Sequence, residues 1–537
     1  MSPINRRDFI SRASVVGLAP LAESWWNGAQ GAEGPAGPSE ARVYVDPAFR
    51  IAKLDRYIFS SFIEHLGRAV YGGIYEPGSP LADSNGFRKD TLEVIRDAGV
   101  PMIRYPGGNF VSGYDWLNGV GPKKDRPTLL DRAWDSIETN QFGTDEFMLW
   151  CKKAGTLPMM AVNLGAGNPL HASQLVEYCN LEKGTKYSDL RRQNGHEEPY
   201  NVKHWCLGNE MDGPWQIGHC TAQEYGLRAA TTARMMRTIS DDLFLVACGS
   251  SNPFMPTYLE WDQQVLEQCY DVVDAISLHR YYNNTTETDG DSHHYVALNL
   301  TMDRQIEEIQ AVCDMVRGRL GSNKTLLLSF DEWNVWYRAR NGDGHKQFAP
   351  HLTEEVYNLE DALLVGGLIN SLLRHSDRVK VACLAQLVNA LAALLTNEKM
   401  VLKQTIFYPY LWALHNCYGD TLRVAVESPT YEVKDLGHVP YLDVVATRDA
   451  AKGKVTMLVL NRDLDNSREF EIVWRAGAPT RVLTSEVITG PDLKATNTFE
   501  DPRRVVPQKQ EPPQLAAGKT TVKVPAKSYS LFVFQTA

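Results

Sequence analysis

His204-Trp205-Cys206-Leu207-Gly208-Asn209-Glu210-Met211-Asp212 is an apolar run that breaks abruptly into polar residues able to do chemistry. Lys203–Gly208 reads as a buried strand, and Asn209 and Glu210 stand just past its end. Between about residues 56 and 418 the chain repeats this texture in eight β runs: Tyr57–Ile63, Pro101–Tyr105, Leu157–Leu164, Lys203–Gly208, Leu243–Gly249, Val273–Leu278, Thr325–Phe330 and Val379–Leu387. Amphipathic helical patterns separate them, among them Lys89–Ala98, Thr144–Ala154, Ala222–Ile239, Met302–Leu320 and Glu354–His375. Strand and helix alternating in this way predict an α/β fold, a (β/α)8 TIM barrel over 56–418, with a doubly wound open sheet as the alternative.

The run ends favour the barrel. Glu64 and His65 follow the first run, Arg104 and Asn109 mark the second, and Asn163 the third. Ser250, Ser251 and Asn252 follow the fifth, His279 and Tyr281 the sixth, Asp331 and Glu332 the seventh, Gln386 and Asn389 the eighth. A closed barrel gathers all these ends on one rim, where active sites form; an open sheet does not.

After about Asn416 the texture changes to short β-branched or alternating runs: Tyr441–Ala446, Lys454–Asn461, Glu469–Trp474, Thr520–Val524 and Tyr529–Phe534. Gly, Asp, Asn and Pro separate them, which predicts an antiparallel, jelly-roll-like β-sandwich over 419–537. The segment 41–55 is expected to add a strand to it.

The totals set the class. In 537 residues, 43% are hydrophobic and 22% charged, a globular balance with room for one large and one smaller domain. A net charge of −10 argues against a nucleic-acid partner, which needs clustered Lys and Arg. Twelve Trp and 23 Tyr suit both core packing and a sugar site. The nine Cys show no CxxC pair and no zinc spacing, so neither a metal nor a cofactor is expected. No run of 18 apolar residues is present, so no membrane span is expected.

At the N-terminus, Asn5-Arg6-Arg7-Asp8-Phe9-Ile10 precedes a weakly apolar stretch, Ala13 to Ala22. This resembles a twin-arginine export signal over 1–32, followed by a Gly/Ala/Pro-rich linker over 33–40, and predicts a periplasmic or extracellular protein.

Two carboxylates stand out. Glu210 and Glu332 each end an apolar run, and each is followed by a bulky residue. A retaining glycosidase needs one carboxyl as acid and one as nucleophile, roughly 5–5.5 Å apart. Glu210 and Glu332 are far apart in the chain, but strands four and seven of a barrel end on one rim. The alternative is that each is a strand-end charge with an Arg or Lys partner.

Longer motifs surround these residues. They include Phe62-Ile63-Glu64-His65-Leu66-Gly67-Arg68, Arg104-Tyr105-Pro106-Gly107-Gly108-Asn109-Phe110 and Ile137-Glu138-Thr139-Asn140. Others are Gly208-Asn209-Glu210-Met211-Asp212-Gly213-Pro214-Trp215-Gln216, Ser277-Leu278-His279-Arg280-Tyr281-Tyr282, Asp331-Glu332-Trp333-Asn334-Val335-Trp336-Tyr337 and Ala385-Gln386-Leu387-Val388-Asn389. From about Ala41 to the C-terminus the chain resembles the family-51 glycoside hydrolases, the α-L-arabinofuranosidases. The resemblance implies an exo-acting retaining enzyme that releases terminal α-L-arabinofuranosyl units from arabinan, arabinoxylan or arabino-oligosaccharides. It implies Glu210 as acid/base and Glu332 as nucleophile. Asn209 would hold the sugar 2-hydroxyl, Glu64 and Asn109 other hydroxyls, and Gln386 the hydroxymethyl. Trp134 would wall the pocket, Arg104 would orient the nucleophile, and His279 and Tyr281 would flank the carboxylates. The partner would be a plant carbohydrate, and the protein a homo-oligomer, often a hexamer in bacterial relatives.

Two stretches depart from the family's pattern, Ala166-Gly167-Asn168-Pro169 and Ala390-Leu391-Ala392-Ala393-Leu394-Leu395, and both are expected near the rim. The competing readings keep the mechanism on another sugar, as a β-xylosidase or endo-β-glucanase, or make the barrel a non-catalytic carbohydrate binder. Metal-dependent hydrolysis lacks an HExxH signature.

Overall fold

The computed structural model describes residues 40–338 and 345–536. The expected export signal at 1–32, and all but the last residue of the expected linker, lie outside the described residues. Eight strands close into a parallel barrel: β1 (Ser60–Phe62), β2 (Met102–Tyr105), β3 (Leu157–Val162), β4 (His204–Leu207), β5 (Phe244–Ala247), β6 (Ala275–Tyr282), β7 (Leu327–Val335) and β8 (Val379–Leu384). β8 closes on β1 through Cys383 opposite Ser60 and Leu384 opposite Ser61. The doubly wound alternative is therefore set aside.

The strands read as nearly continuous apolar runs because both faces are covered. Phe62, Met102, Met159, Ala161, Cys206, Val246 and Val381 fill the barrel interior. Their neighbours Ile103, Met160, Val162, Trp205, Leu207 and Leu245 face the helices. This is the strand's two-residue alternation at work.

Three strands differ from the runs in the sequence. The first run begins as a 3-10 turn, Arg56–Phe59, because the Asp55 side chain accepts from the Tyr57 amide at 3.0 Å. β6 and β7 instead extend past their apolar runs into polar sequence. They continue to pair, with Glu332 opposite His279 and Asn334 opposite Tyr281, after a bulge between Ser329 and Glu332. A bulge re-aims the side chains that follow it. Glu332 therefore sits within a strand, rigidly placed, and not on the loop beyond it.

C-terminal to the barrel lies a ten-stranded, mostly antiparallel sheet. Ala41–Lys53 belongs to it, antiparallel to Asp420–Glu427 and parallel to Arg468–Trp474. The sheet folds over on itself: Trp474 and Phe534, on strands well separated in the hydrogen-bonding order, have ring centroids 5.6 Å apart. Between its halves lies a second core that includes Val43, Val459, Ile472, Val522 and Phe532.

The helix Leu359–Arg374 joins the two parts. Every residue from Leu359 to Leu373 is buried, because barrel strands cover one side and the sheet the other. At this junction Asp443, from the sheet, accepts from Arg374 Nη2 at 2.5 Å and Arg462 Nη2 at 2.6 Å. It also accepts from Asn299 Nδ2 at 2.9 Å and Asn370 Nδ2 at 3.3 Å.

Candidate active site

The C-terminal ends of the barrel strands open into one cavity of about 980 Å³. Its lining includes Glu64, Asn109, Trp134, Glu210, Tyr281, Glu332 and Gln386. Asn209, Arg104 and His279 stand directly behind that wall, buried. Not every polar strand end reaches it. Asn163 instead holds its own turn, accepting from the amides of Gly165 and Gly167 at 3.0 and 2.9 Å. Ser250 is tied to Asp262, and Asn389 braces Thr396 and the Arg68 carbonyl.

Glu332 is gripped at both oxygens. Arg104 Nη1 donates to Oε1 at 2.7 Å and Tyr281 OH donates to Oε2 at 2.8 Å. Arg104 also reaches past β3 to the end of β4, giving Nη2 to Asn209 Oδ1 at 2.8 Å, and its guanidinium lies 4.6 Å from the centre of the Phe62 ring. Burial pushes the Glu332 carboxyl up, but the charges of His279 and Arg104 and the donors from Tyr281 and Arg104 prevail, and it is held below the usual carboxylate range. Its surroundings therefore favour the anionic form of Glu332.

Glu210 is held differently. Trp215 Nε1 donates to Oε2 at 2.7 Å, and His279 Nδ1 lies 3.0 Å from Oε1. The same Nδ1 is 3.8 Å from Glu332 Oε2, and a single oxygen from each carboxyl lies with it inside a 4.8 Å span. Burial disfavours the imidazolium, yet Glu332 and the bond to Glu210 outweigh it, so His279 is held above its ordinary range. The Glu210 backbone has φ +45°, a left-handed conformation that a non-glycine residue adopts only where its surroundings enforce it. This turn, following Gly208 at φ +91°, swings the carboxyl from the strand end toward Glu332.

A third carboxyl, Glu64, lies beside these. It accepts from the Phe110 amide at 2.9 Å and from Trp134 Nε1 at 3.1 Å on one oxygen, and from Gln386 Nε2 at 3.3 Å on the other. Its own amide donates to Gln386 Oε1 at 2.9 Å. Three donors favour the anion, but complete burial and the nearby charge of Glu332 favour the acid more strongly, and the carboxyl is pushed up to about 8. Asn109 joins the group by accepting from Asn209 Nδ2 at 3.3 Å.

The Pro106-Gly107-Gly108-Asn109 turn must be slim to allow this crowding. A Cβ on Gly108 would lie 2.9 Å from Glu332 Oε1 and 3.4 Å from both Asn209 Nδ2 and Glu64 Oε2. Glu210, His279 and Glu332 are the one grouping of carboxylate and imidazole among the described residues tight enough to share a cation. Two oxygens and one nitrogen do not complete a tetrahedral set, and Arg104 already sits on Glu332.

Trp215 had no role assigned from sequence, although it lies in the quoted motif; a Trp five residues past a strand-end Glu carries no signal of its hydrogen bond. His65 was noted only as a strand-end residue. Its ring bonds Glu138 Oε2 at 2.7 Å and Tyr105 OH at 2.8 Å, and stacks on Phe110, the residue whose amide holds Glu64. The two stretches that depart from the family's pattern also divide. Residues 166–169 cap the helix Pro169–Asn180 and do not line the cavity. Leu391 does, and its carbonyl accepts from the Gln386 amide at 2.9 Å.

A carboxylate held anionic, facing a second carboxyl across one pocket, is the arrangement for double displacement at an acetal carbon. The comparisons agree with this chemistry. Residues 94–299 match the α-L-arabinofuranosidase 1 domain and 331–528 the α-L-arabinofuranosidase C-terminal domain. The intracellular exo-α-(1→5)-L-arabinofuranosidase 1 of Bacillus subtilis is 48% identical, over 87% of this chain and 93% of that protein. The intracellular exo-α-(1→5)-L-arabinofuranosidase of Halalkalibacterium halodurans is 45% identical, over 91% and 98%. A solved family-51 α-L-arabinofuranosidase of Bifidobacterium longum superimposes with a TM-score of 0.88 at 39% identity, over 92% of this chain and 99% of that one. These relatives overturn one expectation. The export read from Arg6 and Arg7 does not stand, since the Bacillus subtilis and Halalkalibacterium halodurans relatives are both named intracellular. An Arg pair ahead of a weakly apolar stretch is a short local pattern that no packing constraint checks.

Proposed function

The chain belongs to the family-51 α-L-arabinofuranosidases, and from that premise we propose that Glu332 is the nucleophile and Glu210 the acid/base at the site described above. The enzyme is an exo-acting, retaining glycosidase that releases terminal α-L-arabinofuranosyl units. In the first step a Glu332 oxygen bonds to the anomeric carbon, the glycosidic C–O bond breaks, and the Glu210 proton passes to the departing oxygen. In the second, Glu210 takes a proton from water, whose oxygen displaces Glu332 and frees the sugar with its configuration retained. The observation that carries these roles is the unequal grip on two close carboxyls. Arg104 and Tyr281 hold Glu332 as the anion, which fits a nucleophile, while Glu210, held by Trp215 and His279, is left for the role of acid.

Asn209 would receive the 2-hydroxyl, Glu64 and Asn109 other ring hydroxyls, and Gln386 the hydroxymethyl, with Trp134 as the wall. We favour the α-(1→5) linkage and an intracellular site of action, the terms used for the two relatives above. The β-xylosidase, endoglucanase and non-catalytic readings lose ground, since those relatives are arabinofuranosidases and both carboxyls are present. A homo-oligomer remains part of this proposal, to be decided by light scattering.

The roles are tested with azide. Glu332→Ala loses about 10⁴-fold or more on every substrate, as expected for loss of a nucleophile. Glu210→Ala retains its first step on nitrophenyl arabinofuranoside, fails on arabino-oligosaccharides, and with azide yields a glycosyl azide of retained configuration. Inverted azide product from Glu210→Ala would reverse the assignment.

A further inference from the structure

Phe254 is the most exposed large hydrophobic side chain among the described residues, at 72%. It does not lie on an outer face. It lines the active cavity together with Asn252, Arg280, Asn283 and Glu287. An aromatic ring left in water costs free energy unless something covers it in use, and one that lines a catalytic cavity is positioned to be covered by substrate.

The ring is also held in place. The Arg280 guanidinium lies 4.4 Å from its centre, and the same guanidinium is 4.8 Å from the centre of Tyr282. Arg280 is buried and ion-paired with Glu287. Burial pushes the Glu287 carboxyl up, Arg280 opposes this, and the two remain a local pair. On the backbone side, the Phe254 amide donates to Asn252 Oδ1 at 2.9 Å. Three residues before Phe254, the Ser251 amide and hydroxyl are tied to Asp212, two residues beyond Glu210. The Phe254 loop is thus fastened to the Glu210 loop, the side from which the leaving group departs. Of the groups proposed for the arabinofuranosyl unit, Glu64, Asn109, Trp134 and Gln386 follow β1, β2 and β8 instead, with Asn209 alone at the end of β4. A single pentose fills only a fraction of a cavity in the upper part of the range for drug-sized ligands.

We propose that Phe254, backed by Arg280 and Glu287, is the platform on which a sugar ring of the leaving group rests, with Asn252 and Asn283 at its edges for hydroxyls. A pre-set ring costs little ordering on binding. The platform therefore selects oligosaccharides over substrates with small leaving groups. This rests on the assignment of Glu210 as the acid.

The test compares Phe254→Ala and Phe254→Tyr with the parent on arabinotriose and on methyl α-L-arabinofuranoside, whose leaving group is too small to reach the platform. Phe254→Ala should lose roughly three- to tenfold in kcat/KM on arabinotriose, mainly through KM, the range of one aromatic contact. Its kcat/KM on the methyl glycoside, and its inhibition by free L-arabinose, should stay within about twofold, and Phe254→Tyr should restore the triose value. An unchanged triose value, or equal losses on both substrates, overturns the platform. Failure of the underlying assignment looks different: it shows in the azide products of Glu210→Ala, whatever Phe254 does.

Discussion

The protein buries charge in two places, in opposite proportions. At the domain junction one carboxylate, Asp443, faces two guanidiniums and two amides. In the cluster around Glu332 three carboxyls, Glu64, Glu210 and Glu332, share one guanidinium and one imidazole. Burial pushes Asp443 up as it does Glu332 and Glu64, but Arg374 and Arg462 overrule it and hold the carboxyl below its ordinary range. The junction is saturated with positive partners and has no chemistry left to do. The Glu332 cluster is short of them, which pushes the Glu64 carboxyl up to about 8. Oversupply of counter-charge specifies an interface; undersupply keeps protons in play.

The largest effect should follow from breaking the saturated cluster. Asp443→Ala leaves the buried Arg462 without a carboxylate, while Arg374 keeps only its pair with Asp303, and should cost about 3–5 kcal/mol in denaturant unfolding. The folded fraction should turn over substrate at nearly the parent rate. A variant as stable as the parent would mean the junction is held by its apolar contacts alone.

Next comes a steric test of the crowded cluster. Gly108→Ala sets a methyl 2.9 Å from Glu332 Oε1, so either the carboxylate or the turn must move. Activity should fall roughly 10–100-fold, since small misplacements at a reacting centre are expensive. Unfolding should shift by about 1–3 kcal/mol. Full activity would show that Glu332 is less tightly fixed than its two hydrogen bonds indicate.

The smallest effect separates the clusters by the sign of their pH response. Glu64 is raised from 4.5 to about 8, so the stability it contributes is full below about 4.5 and is lost as pH rises toward 8. Asp443 is lowered, so its contribution is present above its ordinary value of 3.8 and is lost as pH falls. Glu64→Gln should flatten the decline in Tm between pH 5 and pH 8, and should remove the loss of arabinose affinity near pH 8. If Glu64→Gln declines as steeply as the parent, Glu64 is already ionised and the undersupply is overstated.

Much of this was legible in the sequence, for a physical reason. Strands covered on both faces leave uninterrupted apolar runs, so the barrel strands were visible where they are wholly buried, as in Leu157–Val162 and His204–Leu207. They were misread where polar residues point into the cavity, since β6 and β7 continue through His279–Tyr282 and Asp331–Val335 with no apolar signal. In the sheet, Asp420–Glu427 and Pro479–Ile488 were missed because their half-exposed, charge-bearing faces break the pattern. Glu210 and Glu332 were found as strand ends. Their partners needed three dimensions: the reach of Arg104 from β2 past β3 to Asn209, the return of Trp215 to Glu210, and the His65–Glu138 pair behind Phe110 are contacts between separate turns of chain.

The helix Leu359–Arg374, buried along nearly its whole length, bears on modularity. Its barrel-facing and sheet-facing surfaces are both filled, and the matched C-terminal family domain begins at residue 331, before the last barrel strand. The sheet is therefore not an appendage that could be shuffled between enzymes or trimmed to make a smaller catalyst. A barrel cut free at residue 418 would present an oily rod to water, and it would be a precipitate before it was an enzyme.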